Sequence, residues 1–350
     1  MKRGIHTLTV FLLFAVLIQP AATAAEDAAP VRLVAEWELT GPLVVVWPEH
    51  LRRQSALVEP INNWIRSLPK DWDVAVISAR PPSIRALQDL GRDVRYLPID
   101  RPRNVFVRDW AGLPAADAEG RLHAAKFRYQ PGHLSGGDVA RAHDNHRVGA
   151  ELGESLYGAI SEIPLTMSGS AITHNGKDTA IVSQRIIGEN EQRSITEIRD
   201  RLRRYAGLTQ VVFVPLHPDD RHGHLTGLIR FASDDLVLVT DHPDENGEQA
   251  DFARRLEEQI DRDLGQTLRV KRLPRPSISA DLPFEAGSYL DFIALDDHLL
   301  VPFFDAPEDE EVLEILSEAL PGRVLAPIPA DVILPLAREG LAPSRISVVY

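Results

Sequence analysis

The chain has 350 residues, of which 44% are hydrophobic, 25% charged and 6% aromatic, a composition typical of a globular protein rather than a disordered or fibrous one. Its formal net charge of −13, from 38 basic and 51 acidic residues, disfavours general binding to nucleic-acid phosphates. The sequence contains no cysteine, which excludes disulfides, a thiolate nucleophile and cysteine-ligated metals.

The first 24 residues have the pattern of a secretory signal peptide. Lys2 and Arg3 form a positive start, and Leu8–Ile18 is apolar but shorter than the roughly 20 residues that cross a bilayer. Ala22-Thr23-Ala24 then provides a cleavage site. We therefore expect an exported protein, periplasmic or secreted, with no membrane span after signal cleavage. An uncleaved membrane anchor is the alternative.

Short runs rich in β-branched residues recur along the chain and predict strands. They are Leu43–Trp47, Asp73–Ile77, Val94–Leu97, Thr179–Ser183, Gln210–Val214, Leu236–Thr240, Leu268–Val270, Phe292–Leu295 and Leu299–Pro302. Apolar residues at helical spacing predict helices over Thr196–Tyr205, with Ser194 as N-cap, and over Phe252–Leu264 and Asp309–Leu320. No Pro/Gly/Ser-rich linker divides these elements, so residues 25–350 are predicted to form a single α/β domain of repeated modules.

The segment Asn104–Asp109 is the first that could carry chemistry. Its apolar run ends at Arg108-Asp109, and turn residues follow at Gly112-Leu113-Pro114. A carboxylate at the end of a strand can bind a guanidinium group through two parallel hydrogen bonds. Taken alone, however, the segment is explained more simply by a surface Arg–Asp pair.

Histidines cluster in two places. His217, Asp220, His222 and His224 follow a predicted strand and could bind zinc, although a polar loop with solvated histidines is the simpler interpretation. The string His217-Pro218-Asp219-Asp220 is also similar to a motif of zinc-dependent sugar N-deacetylases, but it lies past mid-chain and continues with Arg221. His143 and His146 have the spacing of one helix face, yet their polar surroundings favour an exposed loop.

Four segments, taken in order, resemble the agmatine deiminase and bacterial-type peptidyl-arginine deiminase family. The last one, together with the acidic helix and strand that follow it, is the most specific, and the resemblance covers nearly all of the mature chain. It implies a pentein fold, an α/β propeller of five αβ modules around a pseudo-fivefold axis. The four segments are Asn104–Pro114, Ser168–Ser183, Asp220–Phe231 and Ser288–Pro302.

In that family a cysteine thiolate attacks the guanidinium carbon, a histidine acts as acid and base, and carboxylates hold the guanidinium nitrogens. The resemblance places Asp109, beside Arg108, at the first substrate-binding carboxylate and His224 at the acid/base position. The remaining positions differ: Thr226 replaces the second aspartate, Ser168 the glutamate, Phe106 a tryptophan and Arg345, to within a residue or two, the cysteine.

These losses predict a homologue that is inactive by the family mechanism and binds a small guanidinium ligand, a peptide or a partner, without a cofactor or metal. Arg345 would place a positive charge where the substrate guanidinium binds, or would pair with Asp109 and fill the pocket. The alternative is an active C–N hydrolase with altered machinery, using either Ser344 or Ser347 as nucleophile or the His217–His224 cluster as a metal site. The sequence does not indicate the oligomeric state.

Overall fold

The computed structural model describes residues 31–47, 55–100, 102–130, 137–220, 222–241, 247–264, 267–283 and 286–350. The predicted signal peptide lies outside these ranges. Within them, none of the helices combines the length and the apolar composition that crossing a membrane requires.

Strands and helices alternate through the described residues. The strands are β1 (Arg32–Leu33), β2 (Leu43–Val46), β3 (Val74–Ile77), β4 (Arg95–Leu97), β5 (Leu113–Ala116), β6 (Leu122–Arg128), β7 (Ile160–Thr166), β8 (Ile172–His174), β9 (Thr179–Ser183), β10 (Gln210–Val214), β11 (Ile229–Phe231), β12 (Leu236–Thr240), β13 (Arg269–Leu273), β14 (Ile293–Leu295), β15 (His298–Pro302), β16 (Val324–Ile328) and β17 (Ser347–Val349). The α-helices are α1 (Val58–Ser67), α2 (Ile84–Leu90), α3 (Val107–Trp110), α4 (Gly137–Tyr157), α5 (Arg185–Glu189), α6 (Ile195–Ala206), α7 (Glu248–Leu264), α8 (Glu308–Ala319), α9 (Ala330–Arg338) and α10 (Pro343–Ile346).

The strands of the described residues form five sheets that share one pattern, an antiparallel pair followed through a helix by a parallel strand. Four of them are β5–β6–β7, which also carries β1 at its edge, β8–β9–β10, β11–β12–β13 and β14–β15–β16. In the fifth, β17–β2–β3–β4, the antiparallel strand comes from Ser347–Val349, far along the chain from its partner. The α/β class predicted from the sequence is confirmed.

Several of the central strands are deeply buried. Strands β2, β9 and β12 are buried along their whole length, which explains why their sequences are continuous β-branched runs rather than alternating patterns. The helices pack an apolar stripe against these sheets, as Ile198 and Leu202 of α6 do. Ser194 caps α6 as predicted and forms a capping box with Glu197.

Two local predictions are wrong. The apolar run ending at Asp109 does not finish a strand, because the Asn104 side chain accepts hydrogen bonds from the backbone N–H of Phe106 at 3.1 Å and from Trp110 Nε1 at 2.8 Å, and α3 follows. His143 and His146 lie on α4 rather than in an exposed loop. The polar residues around them form the outer face of a helix whose other face buries Val148 and Leu152.

Candidate functional site

Asp109 lies on the single turn of α3, close to the backbone around Gly169. A Cβ atom at Gly169 would lie only 2.2 Å from the Arg108 carbonyl oxygen, so this approach requires glycine. Asp109 is 3% exposed. The interpretation of Arg108 and Asp109 as a surface ion pair is therefore wrong.

Helix α10 brings Arg345 to Asp109. Arg345 Nε lies 3.0 Å from Asp109 Oδ1 and Nη2 lies 2.8 Å from Oδ2, so the guanidinium holds the carboxylate at two points. The guanidinium carbon also lies 4.1 Å from the centre of the Phe106 ring, a distance at which the ring face attracts a cation. The predicted pairing of Arg345 with Asp109 is confirmed, and the chain supplies its own guanidinium to this carboxylate.

The Asp109 carboxylate is held in its ionised form. Burial by itself would raise the pKa of Asp109, but the charges of Arg345 and His224 and the hydrogen bonds from Arg345 and Ser170 lower it below its ordinary value. Ser170 Oγ donates one of these bonds to Asp109 Oδ1 at 2.7 Å. Asp109, Arg345 and His224 therefore share one electrostatic environment.

The loop after β10 positions His224. The Asp220 carboxylate accepts hydrogen bonds from the backbone N–H groups of His222 and His224, and its Oδ1 lies 3.8 Å from His224 Nδ1. Asp220 and His224 are both buried, whereas His222 is exposed. The loop is thus organised around a buried carboxylate, and the interpretation as solvated histidines does not hold for His224.

The four candidate metal ligands do not converge. His217 packs its ring against Phe252, with centroids 4.9 Å apart, and its Nδ1 accepts the backbone N–H of Asp219. In the described part of the chain, no group of three or more histidine, aspartate or glutamate side chains is arranged to hold a metal ion. The geometry therefore does not support the metal-dependent alternative.

Neutral hydroxyls stand at both positions where the resemblance expects further carboxylates. Ser168 Oγ lies 2.9 Å from Ser170 Oγ and caps the short turn Gly169–Ala171 beside Asp109. Thr226 faces the neighbouring cavity, and its Oγ1 is buried with no hydrogen-bond partner among the described residues. Neither side chain can contribute negative charge to binding a cationic substrate.

The two serines near Arg345 are both engaged with oxygen acceptors. Ser344 Oγ donates to Asp291 Oδ1 at 2.9 Å, and Ser347 Oγ donates to the Pro343 carbonyl. Both serines are buried. Their hydrogen bonds therefore go to a carboxylate and a backbone carbonyl rather than to an imidazole base, so the structure gives no support to a serine nucleophile.

A second, partly buried ion-pair cluster, which sequence reasoning missed, lies next to the first. Arg108 Nη2 donates to Glu36 Oε1 and Arg230 Nη2 donates to Glu36 Oε2. Burial would raise the pKa of Glu36, but the two arginines lower it to about 2. A single acid in the otherwise apolar stretch from 33 to 37 is the available signal.

A small cavity adjoins the Glu36 cluster and reaches Ser170, Thr226 and Ser344, which lie beside the first cluster. Its volume is about 50 Å³, enough for a few water molecules and far below the roughly 300 Å³ of ordinary small-molecule pockets. His174 faces it, and burial lowers the pKa of this histidine to about 4. The lining residues include Glu36, Arg108, Ser170, Thr226, Arg230 and Ser344.

Sequence comparison connects this geometry to known proteins. A profile of the Porphyromonas-type peptidyl-arginine deiminases matches residues 32–337. A protein of Vibrio parahaemolyticus whose name places it among agmatine deiminases is 24% identical over 281 residues, which are 71% of this chain and 77% of the relative. A similarly named protein of Selenomonas ruminantium is 25% identical over 294 residues, 73% of this chain and 77% of the relative.

Solved structures show the same fold. The agmatine deiminase of C. jejuni superposes with a TM-score of 0.76 at 18% identity, covering 93% of this chain and 97% of that one. The agmatine deiminase of Enterococcus faecalis gives a TM-score of 0.71 at 17% identity, covering 91% and 95%. The pentein class predicted from the sequence is confirmed.

Proposed function

The chain belongs to the Porphyromonas-type peptidyl-arginine deiminase family, and we propose that it is a non-catalytic member whose guanidinium pocket is filled by its own Arg345. The observation that carries the proposal is the two-point ion pair between Arg345 and Asp109 in a chain that contains no cysteine. The ion pair explains why the Asp109 carboxylate can be present without holding a substrate, since the guanidinium group of Arg345 occupies it.

The chemistry of guanidine hydrolysis supports this proposal. A resonance-stabilised guanidinium reacts only when a strong nucleophile attacks its carbon and carboxylates hold its nitrogens in line. Here the thiolate is missing, Arg345 occupies Asp109, and Ser168 and Thr226 supply neutral hydroxyls in place of acids.

Binding is the activity that this site retains. The Asp109 carboxylate, the Phe106 ring and the Ser170 hydroxyl form a receptor for a planar cation, so a small guanidinium or an arginine-containing peptide is the ligand class that would compete with Arg345. The signal-peptide pattern of residues 1–24 supports the further proposal that the protein acts in an exported compartment. Amino-terminal sequencing of protein recovered from the periplasm or medium tests that part, with a start near residue 25 as the expected result.

The absence of catalysis is tested with purified protein, agmatine, free arginine and arginine-containing peptides. We expect ammonia and ureido products to stay at the level of heat-denatured protein, and His224→Ala and Ser344→Ala to be indistinguishable from wild type. The agmatine deiminase of Enterococcus faecalis, assayed alongside, shows that the conditions permit turnover. Product formation by wild type that disappears in His224→Ala would refute the proposal.

A further inference from the structure

The Glu36 cluster has the composition of a carboxylate receptor. Two guanidinium groups, from Arg108 on α3 and Arg230 on β11, approach the two oxygens of one carboxylate from separate elements of the fold. The planar guanidinium is the side chain best suited to recognising a planar carboxylate. The proposed non-catalytic function uses neither Arg230 nor Glu36.

The two arginines are fixed by contacts that do not involve Glu36. Arg230 donates to the backbone carbonyls of Leu290, at 3.2 Å, and Phe292, and its guanidinium carbon lies 4.1 Å from the centre of the Phe292 ring. Arg108 Nε donates to the Ser344 carbonyl. Both guanidinium groups are therefore also held by the surrounding backbone, in addition to their bonds to Glu36.

Glu36 reaches this receptor from a short segment. It belongs to a single 3-10 turn, Glu36–Glu38, which follows the two-residue strand β1. Glu38 holds the turn by accepting the backbone N–H of Ala35 at 2.8 Å and by pairing with Arg32 at the surface. The Glu36 carboxylate therefore reaches the two arginines from a short segment, residues 31–41, that is held in place by Glu38.

We propose that Arg108 and Arg230 form a binding site for a small carboxylate, which the chain fills with its own Glu36 and which an external carboxylate occupies when Glu36 is shortened or withdrawn. The cavity of about 50 Å³ beside the cluster provides room for such a ligand. Because Arg108 also holds the carbonyl of Ser344, next to Arg345, occupancy of this site supports the helix turn that carries the internal guanidinium.

Chemical rescue tests the proposal. Glu36→Ala removes the CH₂–COO⁻ group, and acetate has the same carboxylate with one methyl carbon. We expect Glu36→Ala to melt well below wild type. We also expect about 100 mM sodium acetate to raise its Tm by at least about 2 °C more than the same concentration of sodium chloride, with saturation as acetate increases.

Three controls make the result specific. Wild type, whose site is filled, should respond equally to acetate and chloride. Glu119→Ala removes an exposed carboxylate that pairs with Arg121 in the turn between β5 and β6, away from Glu36, so it should show no preference for acetate. Glu36→Gln keeps the site filled by an uncharged amide, and we expect it to be destabilised without rescue by acetate.

The outcome does not depend on catalysis. If Glu36→Ala cannot be purified in a folded form, the yield of refolding in acetate against chloride replaces the melting temperature, and higher recovery in acetate is the supporting result. Equal effects of acetate and chloride on Glu36→Ala, or equal failure to refold in both salts, would overturn the proposal. Detection of deiminase activity would instead contradict the proposed function and leave the carboxylate site unaffected.

Discussion

Arg345 and Asp109 lie 236 residues apart in the chain, yet they share a buried two-point ion pair. The resemblance puts the nucleophile within a residue or two of Arg345, and puts at Asp109 the carboxylate that would hold the substrate. Under the proposed function, one substitution removes the attacking group and introduces a cation with the chemistry of the substrate. The energetics of this pair are those of a buried salt bridge.

Removing one member of that pair should be costly. Arg345→Ala leaves the Asp109 charge buried without a partner, so we expect a loss of about 3–5 kcal/mol in the free energy of unfolding. The double variant Arg345→Met, Asp109→Leu removes both charges and should lie within about 2 kcal/mol of wild type. Urea unfolding monitored by circular dichroism measures both changes. A loss below about 1 kcal/mol in Arg345→Ala would mean that the pair contributes little.

Restoring the nucleophile alone should not restore turnover. Arg345→Cys removes the partner of the Asp109 carboxylate and adds a thiol. The substrate guanidinium would still lack the two further carboxylates, because Ser168 and Thr226 stand at their positions. We expect no ammonia from agmatine above background for this variant. Adding Ser168→Glu and Thr226→Asp should raise the rate at least about tenfold over background. The same triple variant with serine in place of the new cysteine is the control, and equal rates in both would contradict the assignment of position 345.

Stability at low pH should depend on Glu36. The two arginines lower the pKa of Glu36 from 4.5 to about 2 in the folded protein, whereas the unfolded chain keeps the ordinary value. Its stabilising contribution is therefore complete above about pH 4.5 and is lost as the pH falls towards 2. We expect wild type to lose on the order of 3 kcal/mol more than Glu36→Gln over that interval, as measured by urea unfolding at a series of pH values. Parallel pH profiles would contradict the expectation.

Stability at alkaline pH should depend on Lys126. This buried ammonium donates to the Trp110 carbonyl at 3.0 Å and contacts His146 Nδ1 at 3.0 Å. Burial lowers the pKa of Lys126 to about 7 and that of His146 to about 4. Between about pH 7 and 10 the unfolded chain binds a proton at Lys126 that the folded protein has lost, so stability should rise with pH.

The size of this rise is on the order of 3 kcal/mol across the interval. Lys126→Met should flatten the profile, while Lys70→Met, which removes an exposed lysine, should leave it unchanged. Urea unfolding at pH 7, 8, 9 and 10 provides the comparison. A wild-type profile already flat over this range would show that Lys126 keeps its proton.

Much of the candidate site can be predicted from the sequence, because its motifs occur in the same order as in the family that the chain resembles. Asp109, His224 and Arg345 were identified by position, and the structure brings them together. The β-branched runs of the sheets were also found, since strands buried on both faces leave a continuous apolar signal. The strand Leu268–Val270 was displaced to Arg269–Leu273, where an exposed edge strand carries mostly charged side chains.

Buried charges were the part that the sequence could not reveal. Glu36 and Lys126 are each a single charge in a short segment, and their burial depends on partners that lie about 20 to 190 residues away. The polar neighbours of His146 favour a loop in the sequence, whereas in the structure they form the outer face of α4. Periodicity reports which side of an element is apolar, but it does not report which ion pairs that side encloses.

The pairing of β17 with β2 has a consequence for the order of folding. These strands are separated by about 300 residues, and forming so distant a contact requires closing a long loop, which is slow relative to local structure. Helix α10 runs directly into β17, so we expect Arg345 to reach Asp109 late, when that last sheet is completed. We therefore expect a chain in which β17 has not yet paired with β2 to leave the Asp109 carboxylate accessible to guanidinium ions from solution.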